Sequence, residues 1–216
     1  MGVRVARQQP LILFLLNHLQ ILDNFPLSPD PSSQEAVPLL PDPLPPLELV
    51  HLFDKMCAVK AFVFDVDGVL TDNSIQITEA GELLRTMDVR DGQAIKWALK
   101  AGLPIGVITG GRSAGVTKRL AELGLEQIYS GVAEKAVPFA QFLERYSLIA
   151  PEVCYIGDDL PDLPVLRKVG FACCPADAVP EILEVVDYVS PFRGGQGCVR
   201  EVIEKVLKLQ HKWPEY

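Results

Sequence analysis

The chain has 216 residues, of which 49% are hydrophobic and 22% charged, the balance of an ordinary globular domain with a sizeable core. Its formal net charge is −8 and it has no basic run, which argues against nucleic acid or an anionic membrane as a partner. The five cysteines have no C-x-x-C spacing. We therefore expect reduced thiols in a cytoplasmic protein, not a zinc site or a disulfide framework.

The N-terminal quarter of the chain differs in composition from the rest. Residues 1–55 contain half of the 18 prolines, and proline neither continues a helix nor donates to a central strand. The apolar stretch at residues 11–22 is too short to span a bilayer, and no small-residue cleavage site follows it. We predict a disordered, Pro-rich leader over residues 1–55 and one domain over residues 56–216. A true start of translation near Met56 is a hypothesis that would explain such a leader.

From residue 56 onward, short apolar runs alternate with amphipathic stretches. Residues 59–64 predict a buried strand, and residues 74–77 and 83–89 predict a β-hairpin around a glycine-containing turn. Asp91 is the predicted N-cap of a helix that runs to residue 100, and Ser113 is the predicted N-cap of the next helix. The remaining predicted strands are 105–108, 127–129, 153–156, 171–173 and 188–189, and the remaining predicted helices are 135–146, 160–168 and 199–207. Repeated β-α units predict an α/β fold with a Rossmann-like, doubly wound parallel sheet.

The first polar motif is Asp65-Val66-Asp67-Gly68, directly after the first predicted strand. The carboxyl ends of the strands in an open parallel sheet are where ligands bind, and Gly68 lets the chain turn sharply there. Two carboxylates at this place can hold a divalent cation, and one of them can attack a phosphate.

Three further motifs follow later strands. Residues 109–113, Thr-Gly-Gly-Arg-Ser, open a helix, where backbone N–H groups and the Thr109 hydroxyl favour a phosphate. Lys135 is a cation at the start of a helix, and residues 157–159 are Gly-Asp-Asp. Taken singly, these motifs are also compatible with a surface turn, a strand-to-helix loop, a solvated lysine and an N-cap. All four in this order, each at the end of a β unit, favour a shared site.

Together these motifs resemble those of the haloacid dehalogenase superfamily of phosphatases. The resemblance is closer still to the small capless phosphatases of 3-deoxy-D-manno-octulosonate (KDO) 8-phosphate. It rests on the segment Asp-Gly-Val-Leu-Thr-Asp at residues 67–72 and on the segment Gly-Gly-Gln-Gly-Cys-Val-Arg-Glu at residues 194–201. The likeness covers about residues 56–210. Two positions depart from the commonest pattern: two glycines precede Arg112 where one is usual, and Pro161 stands where asparagine is frequent.

The resemblance implies a mechanism and its residues. A carboxylate is ionised at pH 7 without a helper base, so Asp65 would attack phosphorus and form an aspartyl-phosphate, while Asp67 would act as general acid and then general base. The phosphate would be held by Thr109, Gly110 and Lys135. Mg²⁺ would be bound by the Asp65 carboxylate, the Asp67 backbone carbonyl and the Asp158 carboxylate, with Asp159 in support.

The resemblance also leaves alternatives. No cap domain fits between the motifs, so it implies a homotetramer whose subunits cover one another's sites. Arg85, Arg193 and Arg200 are candidates for a substrate carboxylate, which a guanidinium binds bidentately, although a surface role suits any single one of them. The substrate is expected to be a small sugar-acid phosphate. A nine-carbon nonulosonate 9-phosphate is the alternative to KDO 8-phosphate, and a non-catalytic assembly module, as in fused sialic-acid activating enzymes, is the alternative to an enzyme.

Overall fold

The computed structural model describes residues 46–214, so what was predicted for residues 1–45 lies outside the described residues. Helix α1 spans Pro46–Ala58 and crosses the predicted boundary at residue 55. Residues 46–55, which the sequence analysis placed in the leader, are thus helical. Proline is compatible with this helix because it stands at the first helical position, where its missing N–H would have no intrahelical partner.

The central sheet has six parallel strands, which confirms the predicted α/β class. The strands are β1 (Ala61–Phe64), β4 (Ile105–Thr109), β5 (Gln127–Ser130), β6 (Val153–Ile156), β7 (Phe171–Cys174) and β8 (Tyr188–Val189). Their order across the sheet is β5-β4-β1-β6-β7-β8. In β1, Phe62 lies beside Ile105 of β4 and Cys154 of β6. Both faces of β1 are buried, as expected of a central parallel strand covered by helices on both sides.

A small antiparallel hairpin stands apart from this sheet. Its strands are β2 (Gln76–Ile77) and β3 (Leu83–Leu84), shorter than the predicted runs of residues 74–77 and 83–89. The turn contains Gly81 with φ of +81°. All four strand residues are exposed, and three of them, Ile77, Leu83 and Leu84, are apolar, so the hairpin presents apolar side chains at the surface.

The helices after the hairpin lie on both faces of the sheet. They are α2 (Val89–Lys100), α3 (Ala114–Leu123), α4 (Ala136–Tyr146), α5 (Leu163–Leu166), α6 (Pro180–Leu183) and α7 (Cys198–Leu209), with 3₁₀ turns at Ala150–Glu152 and Leu160–Asp162. The apolar side chains of β1 and β6 that point to one face share a core cluster with α4, α5 and α6, including Phe139 and Ile182. On the other face α2 packs against α7 and α3.

Two predicted helix details differ from the structure. The N-cap of α2 is Asp88, whose carboxylate accepts the N–H of Arg90 and Asp91, and not Asp91, which lies inside the first turn and is buried. The predicted helix at residues 160–168 is divided into a 3₁₀ turn and the short α5. A continuous helix would require an N–H at Pro164, which proline does not have.

None of the helices within residues 46–214 combines the length and the hydrophobicity that crossing a bilayer requires.

Candidate active site

The four predicted motifs lie at the carboxyl ends of four neighbouring strands. Asp65 directly follows β1, Thr109 is the last residue of β4, and Asp158 comes two residues after β6 ends. Lys135 stands at the start of α4, on the connection that follows β5. Because these strands are adjacent in the sheet, the motifs meet at one edge, as the sequence predicted.

The loop after β1 is a tight turn that faces the end of β6. The Val66 carbonyl accepts three N–H groups of this turn, from Val69, Leu70 and Thr71. Gly68 has φ of +85°, a conformation that side chains with a Cβ rarely adopt. A Cβ at Gly68 would also lie 1.9 Å from Oδ2 of Asp158. Glycine is therefore required here both for the turn and for the space that Asp158 occupies.

A cluster of buried charges forms where these loops meet. One carboxylate oxygen from each of Asp65, Asp158 and Asp162 lies within 4.8 Å of the others. The Lys135 ammonium lies 2.7 Å from Oδ2 of Asp65 and 2.7 Å from Oδ1 of Asp162. The cluster thus carries three carboxylates against one lysine and has an excess of negative charge.

Asp162 is the member that the sequence analysis missed. It is fully buried, and its Oδ1 accepts hydrogen bonds from Lys135 and from the Tyr155 hydroxyl. Its Oδ2 accepts the backbone N–H groups of Asp158 and Asp159, at 3.2 and 3.3 Å. Asp162 therefore fixes the position of Lys135 and the course of the loop that carries Asp158. Its only signal in the sequence is the spacing of three residues after Asp159, which is that of a capping box.

The cluster fits a hard divalent cation. Oδ1 of Asp158 is buried and has no hydrogen-bond partner among the described residues, whereas both oxygens of Asp162 are engaged. A buried carboxylate oxygen is normally paired, and oxygen ligands with negative charge are what Mg²⁺ prefers. Asp158 therefore suits a direct ligand, and Asp162 suits a supporting residue.

The pKa values of the cluster reflect its crowding. Burial, with the Asp162 charge second, raises the pKa of Asp65 to about 6 although Lys135 opposes the shift. Burial and the charges of Asp65 and Asp162 raise the pKa of Asp158 to about 7. Burial lowers the pKa of Lys135, but the two carboxylates beside it outweigh that effect, so its pKa lies above the ordinary value and the side chain stays charged.

The cluster opens into a cleft of about 260 Å³, whose lining includes the phosphate-binding candidates Thr109, Gly110 and Lys135. The Thr109 hydroxyl accepts the N–H of Gly111 at 3.0 Å, which fixes the loop at the end of β4. Asp159 is exposed at the rim, where its carboxylate accepts the N–H of Leu160 at 2.7 Å. The cleft is open to solvent, and no cap domain is inserted between the motifs within residues 46–214.

Asp67 is less buried than the cluster and has a separate partner. Its side chain is 29% exposed and lines the same cleft. Both of its carboxylate oxygens are bound by Arg85, with Nε–Oδ1 at 2.6 Å and Nη2–Oδ2 at 3.2 Å. Arg85 follows directly on β3, so this ion pair connects the hairpin with the loop after β1.

The other two candidate arginines have partners outside the cleft. Arg193 is exposed and pairs with Asp177 at 3.2 Å. Arg200 packs against the rings of both Trp97 and Trp213, with its guanidinium carbon 4.8 and 4.7 Å from their centroids. Neither residue lines the cleft in this structure.

The Gly-Gly-x-Gly segment near the C-terminus packs on the loop after β1. A Cβ at Gly194 would lie 1.9 Å from the carbonyl oxygen of Gly68, and the N–H of Gly195 donates to the Val69 carbonyl at 2.9 Å. This segment therefore supports the turn that carries Asp65 and Asp67, although it is distant in sequence.

Comparison with known proteins gives consistent results. No family model matches the chain. The chain is 39% identical over 165 residues to the 3-deoxy-D-manno-octulosonate 8-phosphate phosphatase KdsC of Salmonella typhi, which covers 76% of this chain and 88% of the relative. The crystal structure of the corresponding Yersinia pestis phosphatase has a TM-score of 0.74 at 34% identity and covers 75% of this chain and 88% of that one. The Moraxella catarrhalis phosphatase, crystallised with magnesium, phosphate and KDO, has a TM-score of 0.72 at 34% identity and covers 74% and 92%.

Proposed function

Because the chain belongs to the haloacid dehalogenase superfamily and, within it, to the family of KDO 8-phosphate phosphatases, we propose that it hydrolyses KDO 8-phosphate to KDO and inorganic phosphate. The reaction is a Mg²⁺-dependent phosphoryl transfer through an aspartyl-phosphate. In a bacterium it would serve the synthesis of lipopolysaccharide precursors. The observation that carries the proposal is the meeting of Asp65, Asp158 and Lys135 at the mouth of one cleft.

Asp65 is the proposed nucleophile. Its carboxylate oxygen attacks phosphorus, a bond to Asp65 forms, and the bond from phosphorus to the sugar oxygen breaks. Attack by an anion on an anionic phosphate is opposed by repulsion between the charges, and the Lys135 ammonium 2.7 Å from Asp65 offsets part of it. Thr109 and Gly110 hold the phosphoryl oxygens at the end of β4.

Asp67 is the proposed acid and base. It gives a proton to the departing sugar oxygen, so that an alcohol leaves instead of an alkoxide. In the second half of the reaction a water attacks the phosphorus of the aspartyl-phosphate and passes a proton to Asp67, and the bond between phosphorus and Asp65 breaks. Asp65 and Asp67 are then both restored.

Mg²⁺ is the proposed cofactor, held by the carboxylates of Asp65 and Asp158 and the backbone carbonyl of Asp67, with Asp159 in support. When bound, the ion neutralises charge on the phosphoryl oxygens. The oxygen of Asp158 that lacks a partner and the excess of carboxylate over lysine support this assignment.

The substrate is proposed from the relatives, which are named for KDO 8-phosphate. An open cleft of about 260 Å³ is compatible with a phosphorylated sugar acid whose sugar portion extends out of it. The exposed apolar hairpin supports a homotetramer in which neighbouring subunits complete the site. Five free cysteines support a cytoplasmic location.

The test is phosphate release from KDO 8-phosphate and, in parallel, from a nonulosonate 9-phosphate. We expect the higher kcat/KM for KDO 8-phosphate, loss of activity on chelation, and recovery on addition of Mg²⁺. A higher kcat/KM for the nine-carbon substrate would change the substrate but not the chemistry. Absence of Mg²⁺-dependent phosphate release from either compound would leave the assembly module as the better explanation.

A further inference from the structure

The ion pair between Asp67 and Arg85 is unusually well defined for a residue carried by a small hairpin. The Arg85 side chain is only 5% exposed, and two of its nitrogens face the two oxygens of Asp67. Its third nitrogen donates to the Leu83 carbonyl at 3.5 Å. A bidentate guanidinium pair fixes both the distance and the orientation of a carboxylate, so Arg85 defines where Asp67 points.

The second glycine of the loop at residues 109–113 gives this pair its space. A Cβ at Gly111 would lie 2.9 Å from Oδ2 of Asp67 and 3.2 Å from Nη2 of Arg85. Both distances are below ordinary van der Waals contact. The departure from the common pattern, two glycines before Arg112, therefore coincides with the position where any side chain would push against the ion pair.

We propose that Arg85 is a positioning residue that acts through Asp67, and that the absence of a side chain at Gly111 provides the space for the ion pair between them. Arg85 holds the Asp67 carboxylate beside the cleft, and Gly111 leaves the ion pair undisturbed. The hairpin thereby becomes part of the proton-transfer geometry. The inference rests on the proposed function, because it takes Asp67 as the group that exchanges protons with the leaving oxygen and the attacking water.

A comparison of leaving groups tests this role. A sugar alkoxide leaves poorly without a proton, whereas the acidic phenol of p-nitrophenyl phosphate leaves without one. Misplacing a catalytic group by about 1 Å can cost on the order of 10²-fold. For Arg85→Gln we therefore expect the single-turnover rate of sugar release from KDO 8-phosphate to fall by about 10–10²-fold, with KM and the single-turnover rate of nitrophenol release from p-nitrophenyl phosphate changed by less than about threefold. The first half-reaction is measured because Asp67 is also the base of the second half-reaction, which both substrates share. Arg85→Lys keeps a cation beside Asp67 but cannot bind both of its oxygens in the same plane, so it should recover only a small part of the loss.

Gly111→Ala tests the same pair without changing the identity of either partner. Its Cβ would displace the flexible end of Asp67, so we expect a loss of about 3–10-fold in the single-turnover rate of sugar release, little change in the single-turnover rate of nitrophenol release, and a melting temperature near that of the wild type. Gly115→Ala is the matched control, since its Cβ would meet only the Ser113 hydroxyl at 3.9 Å; it should leave both activities unchanged.

The double variant Asp67→Asn/Arg85→Gln separates positioning from a general structural effect. If Arg85 acts through Asp67, the double variant is no slower on KDO 8-phosphate than Asp67→Asn alone. Equal losses in the single-turnover rates of both substrates, an unchanged single-turnover rate on KDO 8-phosphate, a loss that is mainly in KM, or additive losses in the double variant would each overturn the proposal. A wild type without phosphatase activity, or an Asp67→Asn variant with full activity, would overturn the proposed function itself and the inference with it.

Discussion

Two regions of the molecule bury an aspartate with a raised pKa, and only one of them has the features of an active site. In the cleft, Asp158 has a pKa of about 7 and an oxygen without a partner. At the interface of α2 with α7, Asp91 also has a pKa of about 7 and an oxygen without a hydrogen-bond partner within residues 46–214. Perturbation of a buried carboxyl therefore does not by itself identify a functional residue.

The surroundings of the two aspartates differ. Asp91 accepts the backbone N–H of Arg200 at 2.6 Å, so it satisfies the first turn of α7 in the manner of a cap, and Arg200 is in turn held by two tryptophans. Asp158 instead meets further carboxylates and Lys135 at the mouth of a cleft. Convergence of several charged groups on accessible space, and not the pKa shift, distinguishes the site.

The largest expected effect comes from removal of the proposed nucleophile. Asp65→Asn keeps the shape of the side chain but has no anionic oxygen to attack phosphorus, so phosphate release should fall on the order of 10⁴-fold or more. The measurement is steady-state phosphate release at saturating substrate, with circular dichroism to confirm the fold. Turnover above a few per cent of wild type would show that the cleft acts without Asp65 as the acceptor.

The second effect should come from Asp162, which supports the cleft but is not among its lining residues. Asp162→Asn removes one of the two charges that hold Lys135, so we expect kcat to fall by about 10²-fold. Its amide cannot accept both backbone N–H groups that Oδ2 now accepts while keeping the contacts of Oδ1, so the free energy of unfolding should fall by about 1–3 kcal/mol. Urea unfolding and steady-state kinetics measure the two losses.

The control for Asp162 is an ion pair on the surface. Glu126→Gln breaks the pair with Arg145, in which both side chains are more than half exposed, and should leave the free energy of unfolding nearly unchanged. If the two variants lose similar stability and Asp162→Asn keeps full activity, Asp162 does not position the lysine.

The third effect should come from Gly68, through the space that it leaves for Asp158. Gly68→Ala and Gly81→Ala impose the same backbone strain, since φ is +85° and +81°, at a cost of about 1–2 kcal/mol each. A Cβ at Gly81 meets nothing within 4 Å, whereas one at Gly68 meets Asp158. We therefore expect about a tenfold or greater loss of kcat for Gly68→Ala alone; equal activity of the two variants would contradict the structural role of that contact.

Much of the fold and of the cleft could be predicted because the signals are local. Asp65, Thr109 and Asp158 lie at the end of an apolar run or within two residues of it, and Lys135 opens the helix that follows β5. The rule that parallel strands present their carboxyl ends at one edge brings the four together. Asp88 and Asp91 show where local patterns are ambiguous. Both precede a helical stretch, and only the contact of Asp91 with α7, 109 residues away in sequence, decides which of them is the cap.

The parts that were missed depend on distant partners. The role of Asp162 comes from Lys135 and Tyr155, which reach it from other elements. The pairing of Arg85 with Asp67 spans 18 residues and a hairpin, and no periodicity encodes it. Sequence patterns thus predicted the residues that line the cleft better than the residues that hold them in place.

The smallest effect on turnover should come from Asp91, and it sharpens the contrast between the two regions. Burial is the main cause of its raised pKa, with the Arg200 N–H opposing and the nearby charge of Asp88 adding to the shift. A carboxyl whose pKa is higher in the folded than in the unfolded protein binds more protons when folded, so it destabilises the fold increasingly as pH rises from about 4 to about 7.

Asp91→Asn removes this pH dependence of stability. The difference in the free energy of unfolding, variant minus wild type, should therefore be larger at pH 8 than at pH 5 by on the order of 1 kcal/mol or more. Urea unfolding at both pH values measures it. Its kcat should stay within about twofold of wild type, because Asp91 touches a helix terminus and not the cleft. A large loss of activity with unchanged stability would mean that the α2–α7 interface is coupled to catalysis, and that the two regions are less separate than their contacts indicate.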